Sequence, residues 1–173
     1  MHLRAASILG SLMLFVAGSL AAASSTITLE KTHLCCPSCV KAAQDAVTSV
    51  PGATAVCDQQ AKSIVITAPD DPTAQKALDA LVAAGFYGKA TGGTVTDDSG
   101  APTGNVQSLT LTGMHNCCGK CVKAINKLIK SVPGATGKIE ADSQTVTVTG
   151  SFDAQKLVQA FNDAGFSVKV APQ

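Results

Sequence analysis

Two kinds of hydrophobic pattern alternate along the chain. Apolar and polar residues alternate over residues 26–31 and 108–112, which predicts a strand in each segment. Apolar residues then recur at helical spacing, which predicts a helix after each strand. The positions that repeat in this way are Val40, Ala43, Val47 and Val50, and then Val122, Ile125, Ile129 and Val132. A Val-Pro-Gly sequence follows each helix and is expected to end it, because proline cannot continue a helix and glycine turns the chain.

After its first helix, each half of the chain again shows strand patterns followed by a helix pattern. Short β-rich segments at 55–58 and 63–67, and at 138–141 and 145–149, predict two more strands in each half. A second helix is predicted from Asp71-Pro72 in one half and from near Ser151 or Asp153 in the other, ending at Gly85 and Gly165. A final short strand closes each half. The order β-α-β-β-α-β, found twice, is the ferredoxin-like arrangement of an α+β fold.

An internal duplication accounts for the two halves. His115 follows His33 by 82 residues, and the sequences Ser-Val-Pro-Gly-Ala-Thr at 49–54 and 131–136 are identical. Residues 24–90 and 106–173 are therefore predicted to be two modules of one kind. Residues 91–105 between them are rich in Gly, Ser, Thr, Asp and Pro without periodicity, which predicts a flexible linker.

The first 23 residues have the pattern of a secretory signal peptide. A short polar start is followed by an apolar stretch and by the small-residue run Leu-Ala-Ala-Ala at 20–23. The stretch is too short to span a bilayer comfortably, so an uncleaved membrane anchor is the weaker alternative. We therefore expect an exported protein, periplasmic or extracellular, that has no membrane contact after cleavage.

Composition excludes some functions and draws attention to the cysteines. The net charge is only +1, with no Trp and a single Tyr, so nucleic-acid binding is not expected. The seven cysteines are an odd number, which does not fit a closed disulfide framework in an exported chain. Six of them fall into two groups of three. The seventh, Cys57, aligns with the apolar Ile139 of the other module and is expected to be a buried structural thiol.

Each cysteine group has the sequence His-x-Cys-Cys-x-x-Cys and lies between the first strand and the first helix of its module. A helix N-terminus favours thiolate over thiol, and thiolates are the ligands that soft metal ions select. Three sulfurs and one imidazole are enough for a tetrahedral site, although the histidines could instead orient the loop. The candidate ligands are Cys36, Cys39, Cys118, Cys121, Cys35, Cys117, His33 and His115. We expect one Cu(I) or Zn(II) ion per module.

These features resemble a tandem of heavy-metal-associated domains, the βαββαβ modules of copper chaperones, of the N-termini of metal-transporting ATPases and of periplasmic mercury-binding proteins. The two Cys-x-x-Cys pairs match the family motif Gly-Met-x-Cys-x-x-Cys, and Gly113-Met114 resembles its first two residues. The resemblance implies metal binding by the paired cysteines and a last loop, at Phe86 and Phe166, that shields the metal. As an alternative, these two phenylalanines belong only to the core. The longer loop, with its added histidine and cysteine, departs from the family pattern.

The leading functional hypothesis is a non-enzymatic protein that traffics or sequesters a soft metal ion such as copper, zinc or mercury. Two alternatives remain: a thiol–disulfide redox protein that uses the Cys-x-x-Cys pairs, and a docking module that has lost metal binding. The first helix of the second module carries Lys120, Lys123, Lys127 and Lys130 on one side. These lysines are either a solvated surface or a docking face for an acidic metal donor or acceptor protein, or for the first module.

Overall fold

The computed structural model describes residues 24–172, and two four-stranded antiparallel sheets organise them. In the first half the order is β1 (Ser25–Glu30), α1 (Pro37–Thr48), β2 (Thr54–Asp58), β3 (Ser63–Ala68), α2 (Asp71–Ala83) and β4 (Lys89–Thr91). The strands are arranged β2-β3-β1-β4 in the sheet. Ile27 and Leu29 on β1 and Ile64 and Ile66 on β3 point to one face and are fully buried. The predicted signal peptide, residues 1–23, lies outside the described residues.

The second half repeats this order with the same sheet arrangement. Its elements are β5 (Asn105–Thr112), α3 (Gly119–Ser131), β6 (Ala135–Thr136), β7 (Thr145–Asp153), α4 (Ala154–Asp163) and β8 (Lys169–Val170). The strand order is β6-β7-β5-β8. Leu109, Leu111, Val146 and Val148 form the buried face of this sheet, and Phe161 of α4 packs on it. The prediction of a fold that combines helices with antiparallel strands is therefore confirmed in the described residues.

Helix boundaries follow the local signals that the sequence carries. Both first helices stop before Val-Pro-Gly, at Thr48 and Ser131. The N-cap of α2 is Asp70, whose carboxylate accepts a hydrogen bond from the Thr73 N–H at 2.8 Å. The cap therefore lies one residue before the predicted Asp71, which begins the helix together with Pro72. In α4 the cap is Asp153, one of the two predicted starts.

The prediction of a strand at 138–141 is wrong. Strand β6 consists of Ala135 and Thr136 alone, and the following segment is held by side chains instead of by a strand partner. The Asn126 side-chain oxygen accepts a hydrogen bond from the Ile139 N–H at 2.9 Å. The Asn116 amide donates to the carbonyls of Glu140 (3.0 Å) and Ser143 (2.8 Å). Because the two asparagines satisfy these backbone groups, the segment does not need a ladder.

The segment predicted as a flexible linker lies against both modules. The side chain of Gln75 on α2 bonds both the N–H and the carbonyl of Thr94, at 3.0 and 2.9 Å. At the other end, the Ser99 carbonyl accepts a hydrogen bond from the N–H of Val170 on β8 at 2.7 Å. Lys169 forms an ion pair with Asp98. The linker therefore contacts both α2 and β8, a placement that composition alone does not predict.

None of the helices described between residues 24 and 172 is both long enough and apolar enough to cross a membrane.

Candidate metal centre

Both cysteine loops lead directly into the first helix of their module. Cys36 and Cys118 immediately precede α1 and α3 and have extended backbones, with φ of −160° and −164°. Cys39 and Cys121 lie in the first turn of these helices and are fully buried. Because a helix N-terminus carries partial positive charge, it favours the thiolate form of these side chains.

The first loop has Lys31 and Thr32 where the second has Gly113 and Met114, but the backbone is left-handed at the first of these positions in both loops. Lys31 has a left-handed φ of 61°, close to the φ of 76° at Gly113 in the second loop. Thr32 is fully buried, as is Met114 at the equivalent position. A lysine in this conformation costs more than a glycine, but the two loops leave their strands in the same direction. The histidine that follows therefore occupies the same place in both.

The two loops meet, and their six sulfurs form one group, which we call the thiol cluster: Cys35, Cys36, Cys39, Cys117, Cys118 and Cys121. Within the first loop, the sulfurs of Cys36 and Cys39 are 3.4 Å apart. Between loops, the Cys35 sulfur lies 3.5 Å from that of Cys118, and the Cys39 sulfur lies 3.5 Å from that of Cys117. A tetrahedral zinc–thiolate site, with bonds of about 2.3 Å, separates its sulfurs by roughly 3.8 Å. The spacing in the thiol cluster is close to that of sulfurs that share metal ions.

Sulfur and nitrogen donors of the cluster form three groups, and the donor atoms within each group lie within 4.8 Å of one another. The groups are Cys39 with His115, Cys117 and Cys121; His33 with Cys35 and Cys121; and Cys35 with Cys36 and Cys118. Every group takes donors from both modules. The structure thus brings all eight predicted ligands together, but it does not divide them by module. The expectation of one ion per module stays a prediction.

Each histidine stacks on a phenylalanine of the other module. The ring centroids of His33 and Phe166 are 4.1 Å apart, and those of Phe86 and His115 are 4.4 Å apart. The Nε2 atoms of both histidines are buried and have no hydrogen-bond partner among the described residues. Leaving a buried nitrogen without a partner costs free energy, and a bound metal ion would remove this cost. Both phenylalanines are fully buried, so they belong to the core and also contact the histidines of the cysteine loops.

Backbone hydrogen bonds join the modules beside these stacked rings. The Gly165 carbonyl accepts from the N–H groups of His33 (3.3 Å) and Tyr87 (3.0 Å), both in the first module. The Gly85 carbonyl accepts from the Ser167 N–H of the second module at 3.0 Å. The Tyr87 and Ser167 bonds correspond to each other across the interface, as do the two stacked pairs of rings.

Gly85 and Gly165 have a role that sequence reasoning missed. They were predicted only to end helices, which their φ of +91° and +86° allows. A Cβ on Gly85 would also lie 2.1 Å from the His115 backbone nitrogen, and one on Gly165 would lie 2.3 Å from that of His33. The identical Ala-Gly-Phe triplets at 84–86 and 164–166 were the signal in the sequence that could have indicated this shared contact.

Burial and hydrogen bonding affect the ionisation of the thiols differently. Burial raises the pKa of Cys35 and, to about 12, that of Cys117. Burial also opposes ionisation of Cys36, but hydrogen bonds from the Cys39 N–H and from neighbouring thiols outweigh it and lower the pKa of Cys36 to about 6. Burial lowers the pKa of His115, so its imidazole is neutral and able to bind a metal ion at neutral pH.

Metal affinity should fall as the pH is lowered from about 8 to about 5, because protons compete with the metal for the thiolates. The raised pKa values of Cys35 and Cys117 mean that metal must displace protons from them over this whole range. The lowered pKa of His115 keeps its imidazole neutral, so the thiols should dominate the dependence. Competition titration against a chelator at each pH measures this. An affinity independent of pH would show that other groups bind the metal.

Replacing His33 or His115 by alanine should weaken Zn(II) binding more than Cu(I) binding. Imidazole suits zinc, whereas thiolates alone satisfy Cu(I). Parallel competition titrations with the two ions measure the difference. Equal losses for both ions would indicate that the histidines orient the loops, through their stacking on Phe166 and Phe86, and do not bind metal.

Two residues outside the thiol cluster bear on its surroundings. Cys57 is a free thiol that is only half-buried on β2, beside the first core, so it is less enclosed than predicted. Its counterpart Ile139 is buried.

Lys120, one of the four aligned lysines, donates a hydrogen bond to the Cys35 carbonyl of the other module at 3.3 Å. At least one of these lysines therefore contacts the first module.

The second half of the chain matches a known family. Residues 109–167 match the family model of the heavy-metal-associated domain. This segment runs from β5 through the cysteine loop to the stacked Phe166. The matched residues lie within the second module. The Cys118 and Cys121 pair lies where the resemblance placed the metal-binding cysteines of such a domain.

The chain is also similar to two curated proteins that are named as copper-transporting ATPases. The chain is 27% identical over 139 residues to "Copper-transporting ATPase 2" of Rhizobium meliloti (strain 1021), and 26% identical over 140 residues to "Copper-transporting ATPase 1" of the same strain. These alignments cover 78% and 79% of the chain, but only 15% of each ATPase. The chain therefore corresponds to a small part of the length of those proteins.

A solved structure also aligns with much of the chain. The solution structure of the N-terminal soluble domains of Bacillus subtilis CopA aligns with 88% of this chain and 97% of its own, at 15% identity and a TM-score of 0.30. A likeness this loose says nothing about how the two modules are placed.

Proposed function

We propose that the protein is an exported, non-enzymatic carrier or reservoir of Cu(I), built from two heavy-metal-associated modules that act on one shared site. The observation that carries this proposal is the meeting of six thiols and two imidazoles from both loops. Thiolates select soft ions, and the sulfur spacing suits metal binding. The match of residues 109–167 to the heavy-metal-associated domain supports metal binding, and the names of the two copper-transporting ATPases support copper over zinc.

That the first module is a second heavy-metal-associated domain is part of this proposal. It is supported by the internal repeat and by the same strand order in both sheets. Export is supported by the pattern of residues 1–23. Copper-transporting ATPases move the ion across a membrane, and an exported protein of this kind would receive or deliver it on the outer side.

The test is an anaerobic Cu(I) titration of the reduced chain in competition with a chelator, run beside a disulfide-exchange assay. We expect tight Cu(I) binding and no catalysed exchange of a dithiol substrate. Tight binding that disappears after replacement of the cluster cysteines, with Cys57→Ser as the matched control, would support the proposal. Weak binding together with rapid disulfide exchange would instead indicate the thiol–disulfide alternative.

The partner that we propose is a metal donor or acceptor with an acidic surface. Lys123, Lys127 and Lys130 extend along α3 from Lys120, next to the thiol cluster. Electrostatic docking on this face should raise the association rate and weaken steeply with salt. Metal transfer to a candidate partner should therefore slow at high ionic strength, and Lys123→Glu with Lys127→Glu should slow it at low salt. A rate unaffected by either change would leave the lysines as solvated surface.

A further inference from the structure

We propose that the thiol cluster binds several Cu(I) ions at once, as one polynuclear copper–thiolate cluster that bridges the two modules. This inference rests on the proposed function, since it assumes that Cu(I) is the cargo. It goes further in that the ions share ligands and are not held in separate mononuclear sites. The argument depends on how the six sulfurs are arranged.

The six sulfurs divide into two triangles. One contains Cys35, Cys36 and Cys118, and the other contains Cys39, Cys117 and Cys121. Short distances connect the triangles: the Cys35 sulfur lies 3.5 Å from that of Cys39 and 3.6 Å from that of Cys121. The Cys36 sulfur lies 3.4 Å from that of Cys39 and 3.6 Å from that of Cys117. Each of these two sulfurs thus contacts two members of the other triangle, as in a compact cage.

The donor groups overlap, which indicates bridging ligands. Cys35 and Cys121 each belong to two of the three groups that could hold an ion. An ion in one group and an ion in the next would therefore be bound to the same sulfur. Thiolate sulfur can bind two soft ions at once, whereas imidazole offers one lone pair to one ion. The residues that belong to two groups are therefore cysteines, whose sulfur can bind two ions.

The number of sulfurs sets the expected size of the cluster. If each Cu(I) takes three sulfurs and each sulfur bridges two ions, six thiolates hold about four Cu(I). The added Cys35 and Cys117 matter here, because a Cys-x-x-Cys pair in each loop supplies only four sulfurs. Mononuclear binding by the two pairs would leave Cys35 and Cys117 in the middle of the cluster without a metal.

The surroundings suit a cluster with more thiolates than copper charges. The N-termini of α1 and α3 both point their positive ends at the sulfurs, which stabilises negative charge. The Lys120 ammonium lies beside the Cys35 carbonyl. His33 and His115 each lie in a donor group with cluster sulfurs, and the Nε2 atom of each is buried and has no hydrogen-bond partner among the described residues. They are a second, independent indication that ligands bind at this position.

Cluster formation needs no oxidant or reductant. Copper arrives and remains as Cu(I). Each cysteine that binds loses its S–H bond, the proton goes to solvent, and the sulfur forms bonds to copper. Six protons are released for six thiols that enter the cluster, apart from those already ionised.

The experiment is an anaerobic titration of the reduced, full-length chain with Cu(I), followed by native mass spectrometry and copper X-ray absorption. We expect the mass to shift from the copper-free chain to a form with about four ions, with few intermediates, and we expect a copper–copper scattering shell. Three or more ions together with this shell would support the cluster. One or two bound ions, or bound copper without such a shell, would overturn it and leave the proposed function intact. No bound copper at all would overturn both.

A double variant tests the bridging cysteines. Cys35→Ser with Cys117→Ser retains both Cys-x-x-Cys pairs, so it should bind at most about two ions and lose the copper–copper shell. Cys57→Ser removes the thiol outside the cluster and should behave as wild type. Circular dichroism checks that each variant folds. A double variant that keeps the wild-type copper count and shell would refute the bridging role; if it does not fold, the wild-type measurement decides the proposal.

Discussion

Replacing Cys36 and Cys39 by serine should remove more than half of the copper that the whole chain binds, although it alters only one of the two loops. Each sulfur triangle loses one member, since Cys36 belongs to one triangle and Cys39 to the other. The remaining sulfurs should also hold copper more weakly, by about ten- to a hundredfold, because the ligands that oriented them are gone. Chelator competition measures both quantities.

The reciprocal variant provides the matched comparison. Cys118→Ser with Cys121→Ser also removes one member of each triangle, so the loss should be of similar size. Two independent loops would behave differently: either variant would lose half of the metal, and the other half would bind with unchanged affinity. That result would contradict a shared site and restore the prediction of one ion per module.

Substituting alanine for Gly85 or Gly165 should separate the two modules without unfolding either. The new Cβ would lie 2.1 or 2.3 Å from a backbone nitrogen of the other module's loop, a distance that no side-chain rotation relieves. We expect the backbone hydrogen bonds and ring stacking between the modules to be lost. Small-angle scattering should then report a larger radius of gyration, and the chain should bind less copper.

Gly104→Ala is the matched control for this effect. Gly104 has a φ of +85°, as left-handed as the two interface glycines, but a Cβ there would meet nothing within 4 Å. The Gly104→Ala substitution should therefore destabilise the fold only by the backbone cost of about 1–2 kcal/mol and leave the modules paired. If the control and the interface variants expanded to the same extent, backbone strain and not the clash would explain the result.

The elements of each module could be predicted because their signals are local. Alternating residues marked β1 and β3, the helical spacing after Cys39 marked α1, and Val-Pro-Gly marked its end. The segment 138–141 was mispredicted as a strand because Asn126, thirteen residues earlier, supplies the hydrogen bonds that a strand partner would have supplied. A hydrophobic pattern carries no information about such a side chain.

The ligands could be named from the sequence, but their meeting could not. Spacing within a loop indicates which donors share a turn, and it treats each module alone. The contacts that join the loops pair residues about eighty positions apart, such as Cys35 with Cys118 and Cys39 with Cys117, in ways that depend on three-dimensional packing. The identity of the ligands was therefore predictable, whereas the meeting of the two loops depended on tertiary structure.

The linker between β4 and β5 has a consequence for how the site responds to dilution. Because one covalent chain carries both loops, each meets the other at an effective concentration that short tethers place in the millimolar range. Pairing of the loops is then a first-order event, with an equilibrium that does not depend on how much protein is present. Two separate single-module proteins would dissociate on dilution into a large volume. A tethered pair keeps all six sulfurs together even when the molecule is alone.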